Sequence, residues 1–132
     1  MSTIFSKIIE GEIPSFKIAE DEKHYAFLDI NPASKGHTLC IPKKEVDYIF
    51  DLDPDELAEL TKFSQKVAEG IDEALNPLRT GIIVEGMEVP HAHIHLIPIY
   101  KATQNFSLGK KVDIDEGRMV ELAEQISQKI TL

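Results

Sequence analysis

Residues 90–98 read Pro-His-Ala-His-Ile-His-Leu-Ile-Pro, and three of the chain's five histidines, His91, His93 and His95, stand there at alternate positions. On an extended strand alternate side chains share a face. The run therefore sends three imidazoles one way and Ala92, Ile94 and Leu96 the other. Neighbouring imidazoles disfavour one another's charged form, and histidine titrates close to neutrality. Such a row suits nucleophilic attack, proton transfer or metal binding. Burying it for structure alone requires a partner for each ring nitrogen. Three imidazoles can hold zinc, and the spacing permits it, but no Asp or Glu flanks the run on the same face and Cys40 is the single cysteine.

The elements that must position this row follow from periodicity. Ile4, Phe5, Ile8 and Ile9 fit a short helix over residues 3–9, closed by Gly11 and Pro14. Residues 15–20 and 23–30 read as strands around the polar turn Glu20-Asp21-Glu22, and residues 36–41 as a third strand stopped by Pro42. Asp53 is a good N-cap, Pro54 suits the first helical position and Glu56 completes a capping box. Leu57, Leu60, Phe63, Val67, Ile71 and Leu75 continue that central helix to Asn76-Pro77. Residues 80–84 and 91–97 read as two more strands, joined by a tight hairpin loop at Glu85-Gly86-Met87-Glu88. Met119, Leu122, Ala123, Ile126 and Ile130 mark a final helix over 115–130. Strands and helices in this order, with hairpin links, indicate an α+β fold with a largely antiparallel sheet.

The 132 residues suit one domain. A formal net charge of −9 argues against broad nucleic-acid binding, which needs basic surface, but leaves room for a small anionic substrate held by local donors. No apolar run is long enough to cross a bilayer, and the stretch from Met1 to Lys7 lacks the apolar segment of a signal peptide. Together with the lone cysteine, these features favour the cytoplasm.

Residues 91–97, His-Ala-His-Ile-His-Leu-Ile, match the histidine triad pattern of three histidines alternating with apolar residues and followed by two more. Three further blocks resemble the same family, in family order. Residues 4–14 (Ile-Phe-Ser-Lys-Ile-Ile-Glu-Gly-Glu-Ile-Pro) are similar to its opening, and residues 26–32 (Ala-Phe-Leu-Asp-Ile-Asn-Pro) to its nucleoside-binding segment. Residues 36–43 (Gly-His-Thr-Leu-Cys-Ile-Pro-Lys) are similar to the strand that carries a fourth family histidine. The resemblance implies one histidine-triad (HIT)-like domain over residues 1–132, an antiparallel five-stranded sheet with a long central helix and a C-terminal helix.

The resemblance also implies chemistry. The middle histidine, His93, would attack the α-phosphorus of a purine nucleotide and form a nucleotidyl-histidine that water then hydrolyses. Covalent catalysis of this kind splits one difficult displacement into two easier ones. The backbone carbonyl of His91 would fix the His93 tautomer. His95 would contact the phosphate or assist the leaving group, where a pKa near the working pH would suit proton transfer. His37 would support the triad from the adjacent strand. Asp29 would bind the ribose hydroxyls, although an Asp ahead of Asn31-Pro32 also suits a turn. Phe5, Ile8, Phe27, Leu28 and Ile30 match the apolar residues around the base, and these same residues could simply be core. His95 also separates the chain from the uridylyltransferase branch, which carries Gln there. No cofactor is expected, and a homodimer through the central helix and a sheet edge is.

Three departures qualify these expectations. Thr3 and Ser6 stand where many bacterial members carry a zinc-binding cysteine pair, so no structural zinc is expected. The segment before the triad, residues 84–90, lacks the Asn, Gln and Ser that touch phosphate and leaving group in related hydrolases. Glu85 or Glu88 near a phosphate would repel it. After the triad, Lys101, Lys110 and Lys111 could attract polyphosphate or simply be solvated. A nucleotide-binding protein with little turnover and a metal-dependent hydrolase using the three histidines remain as alternatives.

Overall fold

The computed structural model describes residues 3–132. Met1 and Ser2, the start of the stretch read as lacking an apolar leader, lie outside the described residues. Thr3 caps helix α1 (Ile4–Ile9) by accepting from the Ser6 N–H, and α1 buries Phe5 and Ile8. Strands β1 (Lys17–Glu20) and β2 (His24–Leu28) form the first hairpin, whose turn is held by Asp21 Oδ1 accepting from the Lys23 and His24 N–H groups. Strand β3 (Thr38–Pro42) follows, then a 3-10 turn at Ile49–Asp51 that the sequence reading lacked, and helix α2 (Pro54–Leu75). Glu56 accepts from the Asp53 N–H at 2.9 Å, and Asn76 closes α2 in the left-handed region at φ 53°. Strands β4 (Arg79–Ile83) and β5 (Ile94–Ile99) and helix α3 (Glu116–Ser127) complete the chain.

The five strands pair antiparallel in the order β1-β2-β3-β5-β4, so β4 is an edge. Strand alternation gives the sheet two different faces. One carries Ala26, Leu28, Cys40, Ile94 and Leu96 against Leu60, Phe63 and Val67 of α2 and Leu122 and Ile126 of α3. The other carries Tyr25, Phe27, Leu39 and Ile41 against Phe5 and Ile8 of α1. Helices α2 and α3 thus fill one face, and the histidines approach the other, under α1.

Two expectations at the triad require correction. The last strand begins at Ile94 rather than His91. His91 and His93 precede it because the chain leaves the β3 ladder there. Ala92 N–H donates to Val46 O at 2.6 Å, beyond the end of β3, and Pro90 has no N–H to offer. The link between β4 and β5 is accordingly no tight hairpin. It spans residues 84–93, turns at Gly86 with φ +79°, and ends in the two histidines.

Gly36 sets the entry to β3 and to His37. Its φ is +90°, and a Cβ there would lie 2.5 Å from Leu75 Cδ1 of α2. Gly36→Ala is expected to cost roughly 1–3 kcal/mol from backbone strain and crowding together. Urea denaturation measures it, and an unchanged midpoint would contradict the stated packing.

Candidate active site

His93 is 1% exposed, and its Nδ1 lies 2.7 Å from the His91 carbonyl oxygen. A carbonyl only accepts, so Nδ1 carries the proton and donates it. Nε2 is left with a free lone pair facing the opening beside Glu88. Phe5 meets this ring edge-on at 5.1 Å between centroids and also touches His91 at 5.8 Å. The short helix α1 therefore walls the nucleophile's position.

His91 is held from both sides. Its Nε2 lies 2.8 Å from Pro42 O at the end of β3, which again fixes a donor. Its Nδ1 then accepts, 2.9 Å from Thr3 Oγ1. Ser6 Oγ lies 3.2 Å from the same hydroxyl and donates to Glu45 Oε1 at 2.6 Å. Thr3 and Ser6 thus join the helix cap to the first histidine and to Glu45. In the sequence both positions stand out only as missing zinc ligands, and nothing there marks Glu45. Burial lowers the His91 pKa, against the opposing pull of the Pro42 carbonyl and Glu45.

His37 and His95 form the second relay. Ala33 N–H donates to His37 Nδ1 at 2.8 Å, so the proton of this ring sits on Nε2. His37 Nε2 lies 2.9 Å from His95 Nδ1 and donates to it. His95 Nδ1 is consequently an acceptor, and the proton of the neutral ring is on Nε2. That atom is buried and has no well-aligned hydrogen-bond partner. It lies 3.3 Å from Glu88 Oε1, and the same oxygen is 3.6 Å from His93 Nε2. A buried N–H without a good acceptor is costly, and this one points where an acceptor must come to rest.

Burial pushes the His37 pKa down to about 3, with His95 adding to the shift. Burial and the neighbouring His93 push His95 down to about 4, against Glu88. This corrects the expectation of a His95 pKa near working pH. A ring sealed from water cannot hold a charge cheaply, so at neutrality His95 is a neutral donor rather than an acid.

Asp29 follows β2. Its Oδ1 accepts from the Asn31 N–H at 2.8 Å, the turn expected there, while Oδ2 lies 3.5 Å from His37 Nε2 and 3.9 Å from His95 Nδ1. The carboxyl is thus both a turn former and a wall of the site, with 14% of its side chain exposed. Burial raises its pKa, and the charge of Glu88 adds to that. Glu88 and Asp29 supply the acids that the run itself lacks: neither belongs to the triad strand, and the loop before it and the end of β2 bring them in. Among the described residues Glu88, His93 and His95 could supply three ligand atoms to a cation, as could Asp29, His37 and His95. In the second set the His37 and His95 nitrogens already hydrogen-bond each other.

The proposed base clamp assembles only in part. Phe5, Ile8 and Phe27 pack together on the histidine face, with Phe5 and Phe27 edge-on at 5.5 Å. Leu28 does not join them. Next in the strand to Phe27, it points to the opposite face and packs in the core with α2. Ile30 lies past the strand end and is 72% exposed, so it closes no apolar wall in this structure. Lys101 lines a separate cavity of about 700 Å³ with Lys35, Tyr100 and Arg118 that contains none of the four histidines. Beside His93, a cavity of about 610 Å³ is bounded by Tyr48, Phe50, Val84 and Met87.

A family described as the HIT domain matches residues 10–102. A HIT-like protein from Methanocaldococcus jannaschii is 43% identical over 121 residues, 86% of this chain and 93% of that one. Adenosine 5′-monophosphoramidase hnt1 from Schizosaccharomyces pombe is 37% identical over 98% of this chain and 99% of its own. The crystal structure of a HIT-like protein involved in cell-cycle regulation from Bartonella henselae superimposes with a TM-score of 0.86. It is 30% identical over 98% of this chain and 96% of that one.

Proposed function

The chain belongs to the HIT family, and from that premise we propose that it is a nucleotide hydrolase acting through His93. The substrates are purine nucleoside phosphoramidates, adenylate esters or dinucleoside polyphosphates, cleaved at the α-phosphorus. The observation that carries this reading is the pair of tautomers fixed by hydrogen bonds. His93 presents an unprotonated Nε2, and His95 presents an N–H beside it with no well-aligned acceptor. The names of two yeast relatives as adenosine 5′-monophosphoramidases support the substrate class.

His93 Nε2 attacks phosphorus, a P–N bond forms and the bond to the leaving group breaks. Positive charge developing on the imidazole is shared with the His91 carbonyl through Nδ1–H. His95 Nε2–H donates to a non-bridging phosphate oxygen and keeps its proton. Water then attacks the same phosphorus, the P–N bond breaks, and the nucleotide leaves with His93 restored. His37 positions His95, and Asp29 Oδ2 is the acceptor offered to the ribose hydroxyls. Incubation with adenosine phosphoramidate and with diadenosine polyphosphate, scored by AMP release, tests the reading. Tight AMP binding with no turnover of any of these substrates would replace it with the binding-protein alternative.

A second reading rests on the Glu88, His93 and His95 ligand set, which has the donor atoms of a zinc site. Metal analysis of protein purified without added metal separates the two. The covalent mechanism expects activity that survives chelation, and stoichiometric zinc whose removal abolishes turnover would favour the metal reading.

The protein is further proposed to act in the cytoplasm as a homodimer. No helix among the described residues is long and apolar enough to cross a membrane. The β4 edge leaves Ile82 61% exposed, with Tyr48, Phe50 and Val84 also exposed nearby. A bare edge of this kind invites pairing. Light scattering at micromolar concentration should give the mass of two 14.8 kDa chains, and the mass of one would contradict the dimer.

A further inference from the structure

Glu88 stands in the path of the reaction and has no assigned part in it. Its Oε1 lies 3.3 Å from His95 Nε2 and 3.6 Å from His93 Nε2, the two atoms that must face the phosphate. Half of its side chain is exposed, on a loop that turns at Gly86 and carries the open side chain of Met87. The carboxylate can therefore swing aside when a phosphate arrives, but it remains at the edge of the site. Among the described residues its nearest titratable neighbours are these two histidines, and no Lys or Arg pairs with it or with Asp29. The site thus sets two carboxyl groups, and no lysine or arginine, around the place of the phosphate.

We propose that Glu88 selects the leaving group by charge, favouring nucleotides whose leaving group departs as an amine over those whose leaving group is a phosphate chain. The inference rests on the hydrolase reading above and narrows its substrate class. A single negative charge on the α-phosphate is met by the His95 N–H and by backbone donors. Additional phosphates would bring several more negative charges past Glu88, and like charges at close range repel strongly in a partly desolvated site. An amine leaving group does the reverse. The leaving nitrogen takes up a proton from solvent before the P–N bond breaks, so it carries a positive charge, absent from the ground state, in reach of the Glu88 carboxylate. As His93 Nε2 bonds to phosphorus, the P–N bond to that nitrogen breaks, its electron pair goes to the nitrogen and a neutral amine departs. The interaction is stronger in the transition state than in the ground state, so it raises kcat.

The test compares adenosine 5′-phosphoramidate with diadenosine tetraphosphate on wild-type protein and on Glu88→Gln, which keeps the side chain's size and removes its charge. The ratio of kcat/KM values, phosphoramidate over tetraphosphate, is expected to fall at least tenfold in the variant. The loss on the phosphoramidate should lie in kcat and the gain on the tetraphosphate in KM, a split that a merely structural role would not produce. A ratio unchanged within twofold, with both substrates still cleaved by wild type, overturns this inference alone. Cleavage of neither substrate by wild type overturns the hydrolase reading and this inference with it.

Discussion

Replacing His93 with alanine is expected to lower AMP release on the order of 10⁴-fold or more, the scale on which loss of a nucleophile acts. The size follows from what the ring alone supplies. Its Nε2 is the free imidazole lone pair at the opening, because Nδ1 is committed to the His91 carbonyl at 2.7 Å. The histidine neighbours cannot stand in for it. The Nδ1 of His95 accepts from His37, leaving a protonated Nε2, and both nitrogens of His91 are engaged by Thr3 and Pro42. The fold should survive the change, since the ring's packing partner Phe5 also rests on Phe27 and His91. Steady-state assay beside a far-ultraviolet spectrum checks both points. Undiminished turnover in the alanine variant would remove His93 from the chemistry.

Mild acid is expected to destabilise the protein. His37 and His95 are each 1% exposed and have pKa values lowered from 6.5 to about 3 and about 4. The sign follows from proton counting. Between these values and 6.5 the unfolded chain binds a proton at each ring and the folded chain does not, so stability is full above about pH 6.5 and is lost as pH falls. Each ring then costs about 1.4 kcal/mol per pH unit once the unfolded form is protonated. The two together should remove about 4 kcal/mol between pH 7 and pH 5. His91, also lowered, adds in the same direction. Urea denaturation midpoints across this range measure the loss. A flat profile would mean that the two rings are charged in the fold or solvated.

Much of this arrangement was legible in the sequence because it depends on local pattern. The period of Leu57 through Leu75, bounded by the Asp53-Pro54-Glu56 cap and by Asn76, gave α2 with its observed limits. His91 and His93 both meet Phe5, and His93 meets His95, although the first two histidines lie ahead of the strand. What the sequence left hidden depends on tertiary contacts. Whether Leu28 or Phe27 faces the site is decided by register, and a one-residue step changes the face. The reach of Glu88 depends on how the loop over residues 84–93 folds back, and nothing in its spacing from His91 announces a contact with His95. The lowered pKa of His95 likewise comes from burial beneath elements distant in the chain. The Thr3, Ser6 and Glu45 link joins residues more than 35 positions apart.

Covalent catalysis by this site requires that a nucleotide become bonded to His93. Rapid quenching of a reaction with radiolabelled adenosine phosphoramidate, followed by mass analysis of the intact chain and its peptides, tests it directly. One adenylyl group per chain is expected during turnover, located on the peptide that contains His93 and lost on acid treatment, as a P–N bond requires. Steady AMP release with no labelled protein at any quench time, or with the label on another residue, would contradict it.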